Sequence, residues 1–224
     1  MIEKQLGLKH YIALGVIALA VAIASIQPLE LESYLLHQVG TVFMLVVLII
    51  SMKKIGINFS SFCLYLLFLF IHIVAAHYLY SYVPYNEWLK SLFHFDLNQT
   101  MGWSRNMYDR LVHFAYGLLL YPFFLRCFQV WFPTAKPLTL FLLVIQFVMA
   151  SSMVYELLEW GLSIGLSPED AENYNGQQGY VGCTQGYVSG HNRINPYRAA
   201  LFRQKQKKST LNRCFLNQNQ LIKT

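Results

Sequence analysis

The stretch SSFCLYLLFLFIHIVAAHYLY, Ser60–Tyr80, decides the fold class. It holds 21 residues with no Asp, Glu, Lys or Arg. A helix crossing a hydrocarbon core of about 30 Å needs roughly 20 such residues. No strand of a soluble core runs this long, so the stretch reads as a transmembrane helix. Four more apolar stretches surround it: Tyr11–Ile26, Ser33–Met52, Tyr108–Phe128 and Leu138–Leu166. The last exceeds an upright span and is expected to tilt or project. The expected fold is therefore all-α, a multi-pass transmembrane helical bundle with five spans.

Composition agrees. The chain has 224 residues, 55% hydrophobic and 16% aromatic, with 12% charged residues and a mean hydropathy of +0.37. Such values oppose a soluble globular domain. The first apolar stretch lacks a small-residue cleavage site after it and reads as a retained span. The four cysteines, Cys63, Cys127, Cys183 and Cys214, form no C-x-x-C pair. They support neither a disulfide framework nor a zinc site.

Basic residues set the orientation. Lys4 and Lys9 precede the first span, Lys53 and Lys54 join the second to the third, and Arg126 and Lys136 flank the connection from the fourth to the fifth. These three places share one side, so a cytoplasmic N-terminus is expected, and Ser167–Gly179 is expected outside. The net charge of +6 is unevenly spread. Residues 1–179 carry 9 Lys+Arg and 11 Asp+Glu, whereas residues 180–224 carry 8 Lys+Arg and no acid. The domain reading follows this break: a transmembrane domain over 1–179 and a basic tail over 180–224, expected to be disordered because it has little apolar content to offset its ordering. The bilayer is the expected partner of the first part, and no nucleic-acid partner is expected for the second.

Ionisable groups inside spans are costly and read as functional candidates. Asp109, His113 and Tyr116 stand at i, i+4 and i+7 in YDRLVHFAYGLLLY, on one helix face. Ser152, Glu156, Glu159 and Ser163 form a second polar stripe in SSMVYELLEWGLS. In the N-in topology both stripes open on the extracytoplasmic face, together with His37 and His77. Asp109, His113, Glu156 and Glu159 are the candidate catalytic and metal-ligating residues. Two carboxylates one turn apart beside an Asp and a His suit a divalent cation or a shared proton. The plainer alternative is a set of interhelical ion pairs, such as Arg110 with Glu159. His72, alone on an apolar span, reads as a packed polar residue.

NMYDRLVHFAYGLLLYP, YELLEWG and PEDAENYNGQQG, in that order, resemble the YjdF family of predicted bacterial inner-membrane proteins. More distantly, D-x-x-x-H-F-x-Y followed by E-x-x-E is similar to VanZ-like membrane proteins of the cell envelope. The resemblance covers roughly residues 1–179. It implies a bacterial inner-membrane location and, in intact relatives, a sixth helix after an acidic run of the form G-D-x-W-D-A-x-K-D-M. This chain instead reads GQQGYVGCTQGYV. Codons for Gly179–Val188, read one base later, permit D-M-W-D-A-H-K-D-M over nine triplets. A frameshift near Gly179 is the expectation this raises.

Three functional readings stand at this stage. The first is a site that acts on or binds a lipid or envelope precursor with a divalent cation. The second is a small ion-coupled transporter, and the third a non-catalytic structural membrane protein.

Overall fold

The computed structural model describes residues 1–165; the side chains of Glu159, Leu162 and Ser163 are outside that description. The expectations for the tail, for Ser167–Gly179 and for the sixth helix lie outside the described residues. Everything described belongs to one unit, Met1–Gln177.

Seven helices and one minimal sheet make up the described chain. The strand β1 (Ile2–Glu3) pairs antiparallel with β2 (Ile57–Asn58), Ile2 opposite Asn58. The five expected spans are all present as α1 (Leu8–Ala24), α2 (Leu31–Ile55), α3 (Phe59–His77), α6 (Tyr108–Trp131) and α7 (Pro137–Gly165). The last four hold a stretch long and apolar enough to cross a membrane, while α1 is a shorter apolar helix of 17 residues. Two short helices, α4 (Tyr85–Phe93) and α5 (Leu97–Met101), fill the connection between α3 and α6.

Local chemistry sets several of the ends. The Glu30 carboxylate accepts from the backbone N–H of Glu32 and Ser33 and opens α2, and Asn58 Oδ1 accepts from Ser61 N–H and opens α3. The third span stops at His77, three residues before the apolar stretch ends. Leu79 and Tyr80 there take positive φ, 50° and 57°. The turn swings the Tyr80 phenol back to His72 Nδ1, 2.5 Å away.

The hub is α3, which packs against α1, α2 and α6. Its Phe62, Tyr65, Leu69 and Ile73 are almost completely buried, and Tyr65 Oη donates to the Met44 carbonyl of α2 at 2.9 Å. The principal packing partner of α7 is α6. Gly117 of α6 permits the approach, since a Cβ there would stand 3.2 Å from Val148 Cγ1. Most apolar side chains of α7, Leu142, Met149 and Leu157 among them, face outward. That is the surface of a helix bathed in hydrocarbon.

At the end carrying Lys53 and Lys54, the Arg126 guanidinium closes α2. Its Nη2 donates to the Ile55 carbonyl at 2.7 Å and its Nε to the Gly56 carbonyl at 3.0 Å. Gly56 ends the helix with φ +71°. The basic residue that the charge pattern assigns to a membrane face is thus also a helix cap.

Candidate functional site

The first turns of α6 and the last turns of α7 meet at one end of the bundle. His113 of α6 turns toward α7, with its ring 6.3 Å from Tyr155 in an edge arrangement. Its Nε2 stands 3.2 Å from Glu156 Oε1 and 3.6 Å from Asp109 Oδ1. One imidazole nitrogen therefore faces a carboxylate from each helix. Asp109 is the most enclosed of the three side chains, 15% exposed, and His113 is half-buried at 29%, whereas Glu156 is 58% exposed. The site has a closed side toward α6 and an open side at Glu156.

The structure thus brings together Asp109, His113 and Glu156. Glu159 lies one turn further along α7, but its side chain is outside the described residues, so the alternative Arg110–Glu159 pair falls there too. Arg110 Nη1 reaches Met107 Sδ at 4.0 Å. Among the described residues, no group of three or more His, Cys, Asp or Glu is arranged to hold a metal ion.

One turn further into the span, Tyr116 Oη lies 2.8 Å from Ser151 Oγ. The sequence stripe had placed Ser152 in the polar set, and Tyr116 selects its neighbour instead. Ser151 Oγ also lies 2.7 Å from the Phe147 carbonyl, to which it donates. Its proton is then committed, so the phenol donates to Ser151. Nothing in the sequence distinguishes the two adjacent serines; the rotation of α7 on α6 does. Tyr155 was also missed, as one of many span tyrosines.

A second polar set occupies the same end, where α3 meets α1 and α2. His37 Nδ1 donates to the Ser33 carbonyl at 2.6 Å and His77 Nδ1 to the Ala24 carbonyl at 2.8 Å. His72 Nε2 donates to the His37 carbonyl at 3.3 Å, which leaves Nδ1 to accept from Tyr80 Oη. The tautomer of His72 follows from these partners. His72 ties α3 to α2 and His77 ties α3 to α1 through backbone carbonyls, as expected of a packed polar His72, whereas His37 bonds within α2.

The family model for a predicted membrane protein family, DUF2238, matches residues 9–186. The chain belongs to the DUF2238 family. Neither a curated protein nor a solved structure matches it. Membership in DUF2238 and the four long apolar helices agree that this is a multi-pass membrane protein, with the bilayer as its surroundings. The match covers α2, α3, α6 and α7, α1 from its second residue, and both halves of the α6–α7 site.

Proposed function

We propose that Asp109, His113 and Glu156 form the core of a one-sided polar site that binds or acts on the headgroup of a lipid or envelope precursor, with a divalent cation as its helper. The observation that carries this reading is the convergence of two carboxylates from different helices on His113 Nε2, at 3.2 and 3.6 Å. Donor atoms around a hard cation with bonds of about 2.0–2.6 Å are themselves about 3–3.5 Å apart. The described groups are not arranged to hold such an ion as they stand; a cation would have to draw Asp109, His113 and Glu156 in around it, with Glu159, one turn on, as the further oxygen donor the sequence offers. The cation would bind a phosphate oxygen and offset its charge. Glu156 supplies the exposed edge at which a headgroup would enter.

The ion-coupled transporter is the weaker reading. The polar contacts between α6 and α7 end at Tyr116 and Ser151. Beyond them α6 continues as GLLL and α7 is apolar from Leu140 to Ala150 except for Gln146. A relay needs groups across the whole span. The positive-inside pattern supports a cytoplasmic N-terminus and hence an extracytoplasmic site in a bacterial inner membrane.

The frameshift near Gly179 belongs to the same proposal, with residues 180–224 as a replaced tail. It rests on the sequence alone, where GQQG is followed by YVGCTQGYV in place of the acidic run and the codons permit that run when read one base later. Resequencing the locus in independent isolates tests it, and an intact frame encoding Tyr180 onward in all of them refutes it.

The site is tested with Mn²⁺ titrated into the purified protein in nanodiscs, with and without phosphatidic acid. Glu156→Ala and Asp109→Ala should each weaken Mn²⁺ binding by about tenfold or more, and phosphatidic acid should tighten it only in the unmodified protein. Equal binding by all three proteins would reduce the cluster to an interhelical ion pair.

A further inference from the structure

The connection between α3 and α6 is built unlike the rest of the chain. In α4, Glu87, Lys90 and Ser91 share one face, and His94 follows on it at the helix end. Trp88, Leu89 and Leu92 occupy the other face, and Phe93 and Phe95 extend it. The apolar side is not folded inward. Leu92 is 72% and Phe93 70% exposed, and Trp88, Phe95 and Met101 are also exposed.

Lys90 of the polar side is tied within the segment. Lys90 Nζ lies 2.7 Å from Asp96 Oδ2. Asn86 Nδ2 donates to Asp96 Oδ1 at 3.1 Å, and Asn86 Oδ1 accepts from Asn98 N–H at 3.1 Å. A helix with a polar face on one side and aromatic and aliphatic side chains presented outward on the other is built for an apolar neighbour.

Position identifies that neighbour. The segment begins seven residues after the last turn of one spanning helix and ends six residues before the first turn of another. Trp88 rests against Tyr78, just past the end of α3, with ring centroids 5.9 Å apart. Tyr85 Oη accepts from the Met107 N–H at 3.1 Å, and Asn106 Nδ2 donates to the Val83 carbonyl at 2.8 Å. These contacts tie the segment to the ends of two spans.

We propose that residues 85–101 lie in the membrane interface, with Trp88, Leu92, Phe93 and Phe95 sunk into the boundary between headgroups and acyl chains. Interfacial amphipathic helices seat about 5–10 Å into that boundary, with Trp and Phe as anchors. The occupant of this face is the bilayer the chain already spans, not a second protein. The seating also fixes depth for its neighbour. Asp109 lies two residues beyond Met107, the residue tied to Tyr85, so the start of α6 stands at headgroup level.

The test is depth-dependent quenching of Trp88. The full chain with Trp103, Trp131 and Trp160 changed to Phe is placed in vesicles of phosphatidylcholine brominated high or low on its acyl chains. Trp88 emission should be blue-shifted, quenched more by the upper bromines than by the lower ones, and little affected by aqueous iodide. Should the triple variant fail to fold, the difference between the unmodified protein and Trp88→Phe reads the same quantity. Quenching by iodide and by neither bromolipid would put the face in water and overturn the proposal. Equal or stronger quenching by the lower bromines would place it in the core, and insensitivity to all three would place it against protein; either result also overturns it.

Discussion

Tyr116 of α6 donates a hydrogen bond to Ser151 of α7 at 2.8 Å, one turn deeper than the contact between His113 and Glu156. The two contacts lie on one seam, so the helices that carry the candidate site are held in register by a neutral pair as well as by charged groups. Interhelical hydrogen bonds in membranes average about 0.6 kcal/mol. Tyr116→Phe should therefore lower stability by about 0.5–1 kcal/mol. Ser151→Ala should cost more, about 1–3 kcal/mol, because it leaves the phenol half-buried without its acceptor. Unfolding of both variants in mixed micelles checks the order; a smaller loss for Ser151→Ala would mean that the phenol finds another acceptor.

A glycine governs the opposite end. Gly56 has φ +71°, and a Cβ there would stand 2.6 Å from Ile2 Cγ2 and 3.3 Å from the Glu3 carbonyl oxygen. Gly56→Ala must strain the backbone and displace β1 at once. A loss of about 1–3 kcal/mol is expected, together with faster amide exchange at the β1–β2 pairing. A variant as stable as the parent would show that β1 does not need its present seat.

How much of this was legible in the sequence follows the physics of each feature. The spans were readable because a run such as Ser60–Tyr80 has no other stable environment. Their ends were less so: α3 stops early because Leu79 and Tyr80 turn into positive φ, which no apolar count reveals. The facing of Asp109 and His113 was readable from i, i+4 spacing, but Ser151 over Ser152 depends on how α7 is rotated against α6. The helix α4 was overlooked because nine residues are too few for a span, and its apolar face shows only once Leu92 and Phe93 are seen pointing outward. The β1–β2 pairing joins residues more than fifty positions apart, and two-residue strands leave no periodicity to read.

The Arg126 cap makes a separable prediction. Its two donors take the last carbonyls of α2 at 2.7 and 3.0 Å, a fork that a lysine ammonium does not reproduce. Arg126→Lys keeps the positive charge on that face and should preserve orientation, yet lower stability by about 1.5–3 kcal/mol. Arg126→Ala should do at least as much damage. Thiol labelling of single-cysteine variants reports orientation, and thermal unfolding reports the cap. Full stability in Arg126→Lys would show that charge alone closes the helix.

The last prediction concerns pH and the interfacial segment. Asp96 has its carboxyl lowered to about 2 from an ordinary 3.8, first by the hydrogen bond from Lys90, then by those from Gln99 N–H and Asn86. The folded form binds its proton less readily than the unfolded one. The stabilisation is therefore fully present above about pH 4 and is lost as pH falls from there through about 2. At neutral pH the segment should show no pH dependence from this group. Because Asp96 and Lys90 are both partly exposed, added salt should weaken the effect. Trp88 fluorescence in vesicles, followed from pH 6 to pH 2, should change only at the acidic end of that range. Asp96→Asn removes the titrating carboxylate while leaving a side-chain carbonyl to accept from Gln99 N–H, so it should abolish the acidic transition. A transition of the same midpoint in Asp96→Asn would assign it to another carboxylate and show that the Lys90–Asp96 pair does not govern the segment.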